Sequence, residues 1–166
     1  MPVIRFSKYS LLRCAVIAVA LALPKAVLAK SSPGIVCSLE VTPLIFGEYL
    51  PYRGIPTDST ATLTVICINH STSVGQLSGS ITLMGATPST NRQLRQGLQA
   101  LRYQLYLDPA RTELWGDGNN SLAISGTITF ETHYRQEIMI YGRIYANQNT
   151  ATANAYIDNI NSTLDY

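Results

Sequence analysis

Alternation with a period of two residues is the feature that most constrains this chain. In Leu101-Arg102-Tyr103-Gln104-Leu105-Tyr106-Leu107-Asp108, the residues Leu101, Tyr103, Leu105 and Leu107 share one face, opposite Arg102, Gln104, Tyr106 and Asp108. Ile138, Ile140, Gly142 and Ile144 likewise oppose Met139, Tyr141, Arg143 and Tyr145. Near the C-terminus Tyr156, Ile160 and Leu164 alternate with Asn159, Asn161, Thr163 and Asp165. A pleated strand with one buried face gives this pattern, whereas a helix repeats every 3.6 residues. Further strands are predicted over residues 35–41, 44–49, 61–69, 77–84 and 122–130. Turn formers separate them at 51–60, 85–91, Asp108-Pro109 and Gly116-Asp117-Gly118-Asn119-Asn120. Only residues 90–100 could carry a short helix, and Gly97 weakens it. Strands of this length and spacing predict an all-β sandwich in a single domain.

The N-terminus reads differently. Arg5, Lys8 and Arg13 occur without an acidic residue, the apolar run CAVIAVALAL spans residues 14–23, and Val27-Leu28-Ala29 places small residues before a potential cleavage point. This is the pattern of a secretory signal peptide over residues 1–29, with the mature domain at 30–166. The apolar run is too short to span a bilayer, which takes ~20 residues, and no later stretch is apolar enough to do so. Four of the 12 Lys and Arg lie in the leader, leaving 8 against 10 acidic residues, so the formal charge of +2 becomes −2. The remaining arginines are scattered, which argues against nucleic acid as a partner.

Two cysteines, Cys37 and Cys67, remain after the leader. An even count in an exported chain points to a disulfide, and two cysteines allow one intramolecular pairing. His70 and His133 have no ligand-like spacing to either, so no metal site is expected. No nucleophile elbow, phosphate-binding loop or dinucleotide fingerprint occurs, and the sequence predicts no catalytic residue and no cofactor. His70 belongs to a turn after a strand, and His133 to a hairpin. Asp117 lacks the spacing of a calcium loop. Asn69-His70-Ser71, Asn119-Asn120-Ser121 and Asn161-Ser162-Thr163 match the glycosylation sequon, a pattern common by chance in Asn-rich chains.

Read together, the turn and strand residues resemble a known family. Phe46-Gly47-Glu48-Tyr49-Leu50-Pro51 is similar to the FG-x-Y-x-P element of spore coat U domains, and the second cysteine closes the next strand as it does there. The strand from Leu101 to Asp108 resembles L-x-Y-x-L-Y-x-D, and Trp115-Gly116-Asp117-Gly118 the WGDG turn. Tyr141-Gly142-Arg143-Ile144 with Gln148 resembles YGRI…Q, and Tyr156-Ile157-Asp158 with Tyr166 the closing Y-x-D…Y. The likeness runs from Cys37 to Tyr166. Asn147 and Asn154 stand where the family has glycines; Asn tolerates positive φ better than other side chains, so the turns can survive.

The resemblance implies an immunoglobulin-like sandwich lacking its last strand, in a subunit of an archaic chaperone–usher pilus. The groove between first and final strands is then expected to be lined by Ile35, Leu39, Tyr156, Ile160 and Leu164. A periplasmic chaperone would fill it with a strand, and at an outer-membrane usher a neighbouring subunit would replace that strand. Only Lys30-Ser31-Ser32-Pro33-Gly34-Ile35-Val36 precedes Cys37, too short and broken to serve as a donor strand, which suits the distal end of a fibre. A coat protein outside any fibre and a secreted carbohydrate-binding module are the competing expectations; in each case the product is secreted through the periplasm to the cell surface.

Overall fold

The computed structural model describes residues 3–8, 34–85, 89–116, 122–129, 133–148 and 155–166. They form ten strands: β1 (Val3–Lys8), β2 (Ile35–Val41), β3 (Leu44–Ile45), β4 (Thr57–Asn69), β5 (Gly75–Gly85), β6 (Gln93–Gln96), β7 (Gln99–Tyr106), β8 (Leu122–Ile128), β9 (His133–Ile144) and β10 (Ile157–Asp165). Short 3-10 turns at Pro51–Arg53 and Ser89–Asn91 are the helical elements among the described residues. The apolar run 14–23, residues 30–33, Asp117 to Ser121 and Asn154 lie outside them.

One layer runs β2–β4–β9–β7, all antiparallel. The other runs β8–β5–β10–β1–β3. The hairpin β6–β7 joins them, because β6 pairs with β7 and also meets β10 at Arg95 and Ile157. Side chains from both layers meet in one core containing Leu63, Val65, Ile81, Leu83, Leu101, Tyr103, Leu105, Ile140, Ile144 and Ile160. The Thr, Val and Ile content of β4 suits a pleated, half-buried surface, and its inward positions Ala61, Leu63, Val65 and Cys67 are buried.

The first strand of the domain changes layers at a proline. Up to Val41, β2 pairs with β4. Thr42 then donates its N–H to the Thr62 carbonyl and accepts the Thr62 N–H on its Oγ1. Pro43 has no N–H to continue the ladder, and Leu44–Ile45 continue as β3 in the opposite layer.

Three departures from the sequence reading have physical causes. The segment 90–100 is a hairpin, with Gln96 paired to Gln99 and Gly97 at φ +58; a glycine at the first central position of a two-residue loop matches the strand twist. The element expected over 44–49 is a strand only at Leu44–Ile45, because Gly47 at φ +75 turns the chain out. On β7 both faces are covered at the end: Gln104 and Tyr106 are buried as well as Tyr103 and Leu105. There the segment after Asp108 folds back, Trp115 donating its N–H to the Leu105 carbonyl, and Gln104 donates to the Ser89 carbonyl.

Cys37 and Cys67 are directly opposed on β2 and β4 and form the disulfide, with Cα atoms 4.0 Å apart. The Cys37 N–H donates to the Tyr166 hydroxyl (3.2 Å), tying the last residue to the first strand of the domain. The bridge closes a loop with a sequence separation of 30. Replacing both cysteines by alanine should therefore cost roughly 3–4 kcal/mol in the chain-entropy account, read as a lowered urea midpoint with a steeper slope, because the uncrosslinked unfolded chain exposes more surface. A second expected outcome concerns Gly142, where an added Cβ would lie 2.8 Å from Phe46 Cζ and 3.0 Å from both Leu44 methyls. Gly142→Val should overpack that contact and lose about 1–3 kcal/mol in the same measurement.

Candidate functional site

The final strand, β10, organises the site. Its burial alternates, with Asp158, Ile160 and Ser162 inward and Ile157, Asn159 and Asn161 outward. One edge pairs with β5 from Ile160 opposite Gly85 to Asp165 opposite Ser80. The other edge pairs with β1 over six positions, Val3 with Ile157 through Lys8 with Ser162, in the sole parallel register among the described strands. The far side of β1 meets β3, with Val3 opposite Ile45 and Ile4 opposite Leu44. Ile4, Leu44 and Ile160 are all fully buried. The slot between β3 and β10 thus holds an extended segment from the leader end of the chain.

The five residues expected to line a groove fall in different places. Tyr156 and Ile160 are buried at the β10 side, and Leu164 is half-buried near its end. Ile35 and Leu39 are buried on β2, which pairs with β4 in the opposite layer, and so reach the core from across the sandwich. Sequence reasoning missed Leu44, the residue in register with Ile4. Its signal was Pro43, which marks where the strand leaves its first partner. It also missed β1, because Val3-Ile4-Arg5-Phe6-Ser7-Lys8 read only as the basic head of a leader.

Two inward positions on β10 are polar. The Tyr103 hydroxyl donates to Asp158 Oδ2 at 2.6 Å. Burial pushes the Asp158 carboxyl above the usual carboxylate range, a rise opposed by the Tyr103 hydrogen bond, the Asn159 amide and the charges of Arg92 and Arg95. Burial and the neighbouring Asp158 likewise raise the Tyr103 phenol well above its ordinary value. The Arg92 guanidinium is buried beside this pair and its charge acts on both Tyr103 and Asp158, with no well-aligned hydrogen-bond partner among the described residues.

The remaining motif residues clamp strand ends. Tyr49 donates its hydroxyl to the Tyr145 carbonyl (3.0 Å) and accepts the Gln148 N–H (2.9 Å). Gln148 donates through Nε2 to the carbonyls of Arg102 and Tyr145 and accepts the Arg102 N–H on Oε1. Asn147 before it has φ +60, the conformation a glycine would take. Phe46 meets Tyr103 edge-on at 6.2 Å. Asp108 accepts from the Glu113 amide and from the Thr112 hydroxyl and amide, which hold its carboxyl below the usual range. On the outer face Arg143 forms a two-pronged pair with Asp58 at 2.7 and 2.8 Å, with Arg111 at 3.4 Å.

Chemistry is sparse. His70 and His133 are exposed, and the described residues contain no group of three or more His, Cys, Asp or Glu able to hold a metal. Asn69 is fully buried, with its amide nitrogen donating to the Ser73 and Ile128 carbonyls, so this sequon is part of the turn structure. No described helix is long and apolar enough to cross a membrane.

A sequence model for the Spore Coat Protein U domain matches residues 24–163, most of the chain. The chain belongs to that family. No curated protein matches it in sequence. Among solved structures, the chaperone–tip adhesion subunit pre-assembly complex of archaic chaperone–usher Csu pili from Acinetobacter baumannii matches at 16% identity with a TM-score of 0.47. That alignment covers 79% of this chain and 40% of the other, so this chain spans less than half of its length. The likeness is too shallow to assign a partner or a role. Within the spore coat U domain, the described motif residues Phe46, Tyr49, Tyr103, Gln148 and Asp158 act as clamps and core contacts in this chain.

The Tyr103–Asp158 pair gives two expectations. Tyr103→Phe strands a buried carboxylate and should cost about 1–3 kcal/mol at neutral pH. Because the folded pKa of Asp158 is raised, its contribution is fully present below the ordinary carboxylate pKa and is lost as pH rises through the folded value. The stability of Asp158→Asn relative to wild type should accordingly improve between about pH 3 and pH 7, followed by urea unfolding at each pH.

Proposed function

We propose that this spore coat U domain is a structural, non-enzymatic subunit of a chaperone–usher surface fibre that accepts a β-strand from a partner beside β10. The observation that carries this reading is the edge of β10 from Ile157 to Ser162: a segment outside the domain body pairs with it, in the slot that Ile4 shares with Leu44. A sheet edge that combines backbone hydrogen-bonding groups with an apolar site suits strand addition, where backbone bonds give affinity and pockets give specificity. Once the leader is removed, a periplasmic pilus chaperone would supply the first such strand, and at an outer-membrane usher a neighbouring pilus subunit would supply the next. The groove is lined by Tyr156, Ile160 and Leu164 on the β10 side, faced by Ile35 and Leu39.

A terminal, tip-like position has support from β2. Ile35 and Val36, the apolar residues ahead of Cys37, are already paired with Asn69 and Ile68. They are committed to their own domain and cannot extend into another subunit's slot without breaking that ladder.

The test is co-expression of the exported chain with a chaperone encoded beside it. A one-to-one complex should form on gel filtration, and Leu164→Asp and Ile160→Asp should weaken it at least tenfold, since a buried unpaired charge costs several kcal/mol. Val36→Asp, on an exposed position of β2, should leave it intact. A chain that stays monomeric and well folded in the presence of the chaperone would contradict the reading.

A further inference from the structure

A buried arginine beside the slot lacks acceptors. Arg92 extends the β6–β7 hairpin by one pairing, its carbonyl accepting the Tyr103 N–H, so its side chain falls on the inward side that Tyr103 shares. The residue is 1% exposed, and none of its side-chain nitrogens has a well-aligned hydrogen-bond partner among the described residues. A guanidinium carries five N–H donors, and arginine is almost never fully buried without a group to pair with. Its charge reaches the Tyr103 hydroxyl and the Asp158 carboxyl, two groups already joined to each other at 2.6 Å. Asp158 in turn borders the slot. Along its flank β10 directs Asp158, Ile160 and Ser162 inward, a polar, apolar and polar floor. A strand laid along Ile157 to Ser162 places one inward side chain beside Asp158, at the ~4.8 Å spacing of neighbouring strands. Ile4 takes that place in this structure and brings no acceptor.

We propose that the strand this slot accepts is selected by an amide side chain, a Gln or Asn beside Asp158, followed two positions on by an apolar residue beside Ile160. The inference rests on the strand-accepting reading above and names the chemistry of the donor. An amide both accepts and donates: its oxygen takes an N–H of Arg92, and its NH2 group donates to the Asp158 carboxylate, which has lone pairs to spare beyond Tyr103 and the Asn159 amide. A donor carboxylate would answer Arg92 but stand beside Asp158 as a like charge, and a donor lysine would answer Asp158 while repelling Arg92. An apolar residue leaves the guanidinium buried and unpaired, which is the costly condition for a charge in a core. The same amide fixes register. A slip of two residues would bring it against Ile160 and an apolar side chain against Asp158, so both contacts are lost together. Discrimination of this kind works against wrong strands as much as for the right one.

Two synthetic peptides of about ten residues, alternating Val with Thr, test this. One carries Gln and the other Met in place of the central Val, side chains of nearly equal length that differ in the amide. Binding to the oxidised exported chain is read by fluorescence anisotropy. The Gln peptide should bind about tenfold more tightly or better, the scale of a hydrogen bond to a charged group. In Arg92→Met the order should reverse, the Met peptide binding the more tightly. A third peptide with Gln in place of an outward Thr should show no gain over an all-Val parent. Equal affinities on the wild-type chain, or a tighter Met peptide, would overturn the proposal and leave strand acceptance standing. Binding of none of the peptides would overturn both. The wild-type comparison needs no variant, so it decides even where Arg92→Met fails to fold.

Discussion

Everything in this molecule depends on how the backbone of β10 is satisfied on its second edge. A strand in the middle of a sandwich layer carries hydrogen-bonding groups on both sides, and buried ones must be paired. β5 serves one side from Ile160 to Asp165, and β6 adds a pairing only at Ile157 on that same flank. The opposite flank is taken by Val3–Lys8. The nearest strand beyond it, β3, is two residues long because Gly47 ends it. That short strand can border a slot but cannot move across to close it.

Around this slot the fold is braced by residues of the family-like motifs. Phe46 lies over Gly142 and against Tyr103; Tyr103 holds Asp158 on β10; Tyr49 and Gln148 lock the ends of β7 and β9. The disulfide fixes β2 to β4, and Tyr166 returns from the end of β10 to the Cys37 amide. Each contact joins a pair of elements distant in the chain, so the rim of the slot is braced from several sides. Rigidity of this kind favours strand addition, since little ordering is required of the acceptor on binding.

Much of this was legible in the sequence. Period-two alternation located β4, β7, β9 and β10, and the cysteine count gave the Cys37–Cys67 bridge. Where alternation failed, a physical reason can be named. Residues 90–100 carry apolar positions at mixed spacing, and the left-handed turn at Gly97 makes them a hairpin instead of a helix. Gln104 and Tyr106 read as solvent-facing because nothing local reveals that the segment holding Trp115 folds over them. Asp158 and Ser162 sit on the buried face of β10 although polar, and only the distant Tyr103 explains the former. The slot itself was harder. Ile35 and Leu39 follow the right pattern, but the layer switch at Pro43 hands the border to Leu44, and no local pattern tells which layer a strand joins. β1 was invisible because its pairing is conferred by β10, more than 140 residues away, and a short basic segment has no strand signal of its own.

The central claim is that the domain beginning at Lys30 is a sandwich with room for one more strand. Its melting temperature, compared with that of the same domain carrying an appended apolar strand on a linker long enough to run along β10, tests this most directly. The account predicts a rise on the order of 10 °C, the scale expected when several kcal/mol are added to a domain of this size. Identical melting temperatures, with a bare domain that unfolds cooperatively and stays monomeric, would contradict it.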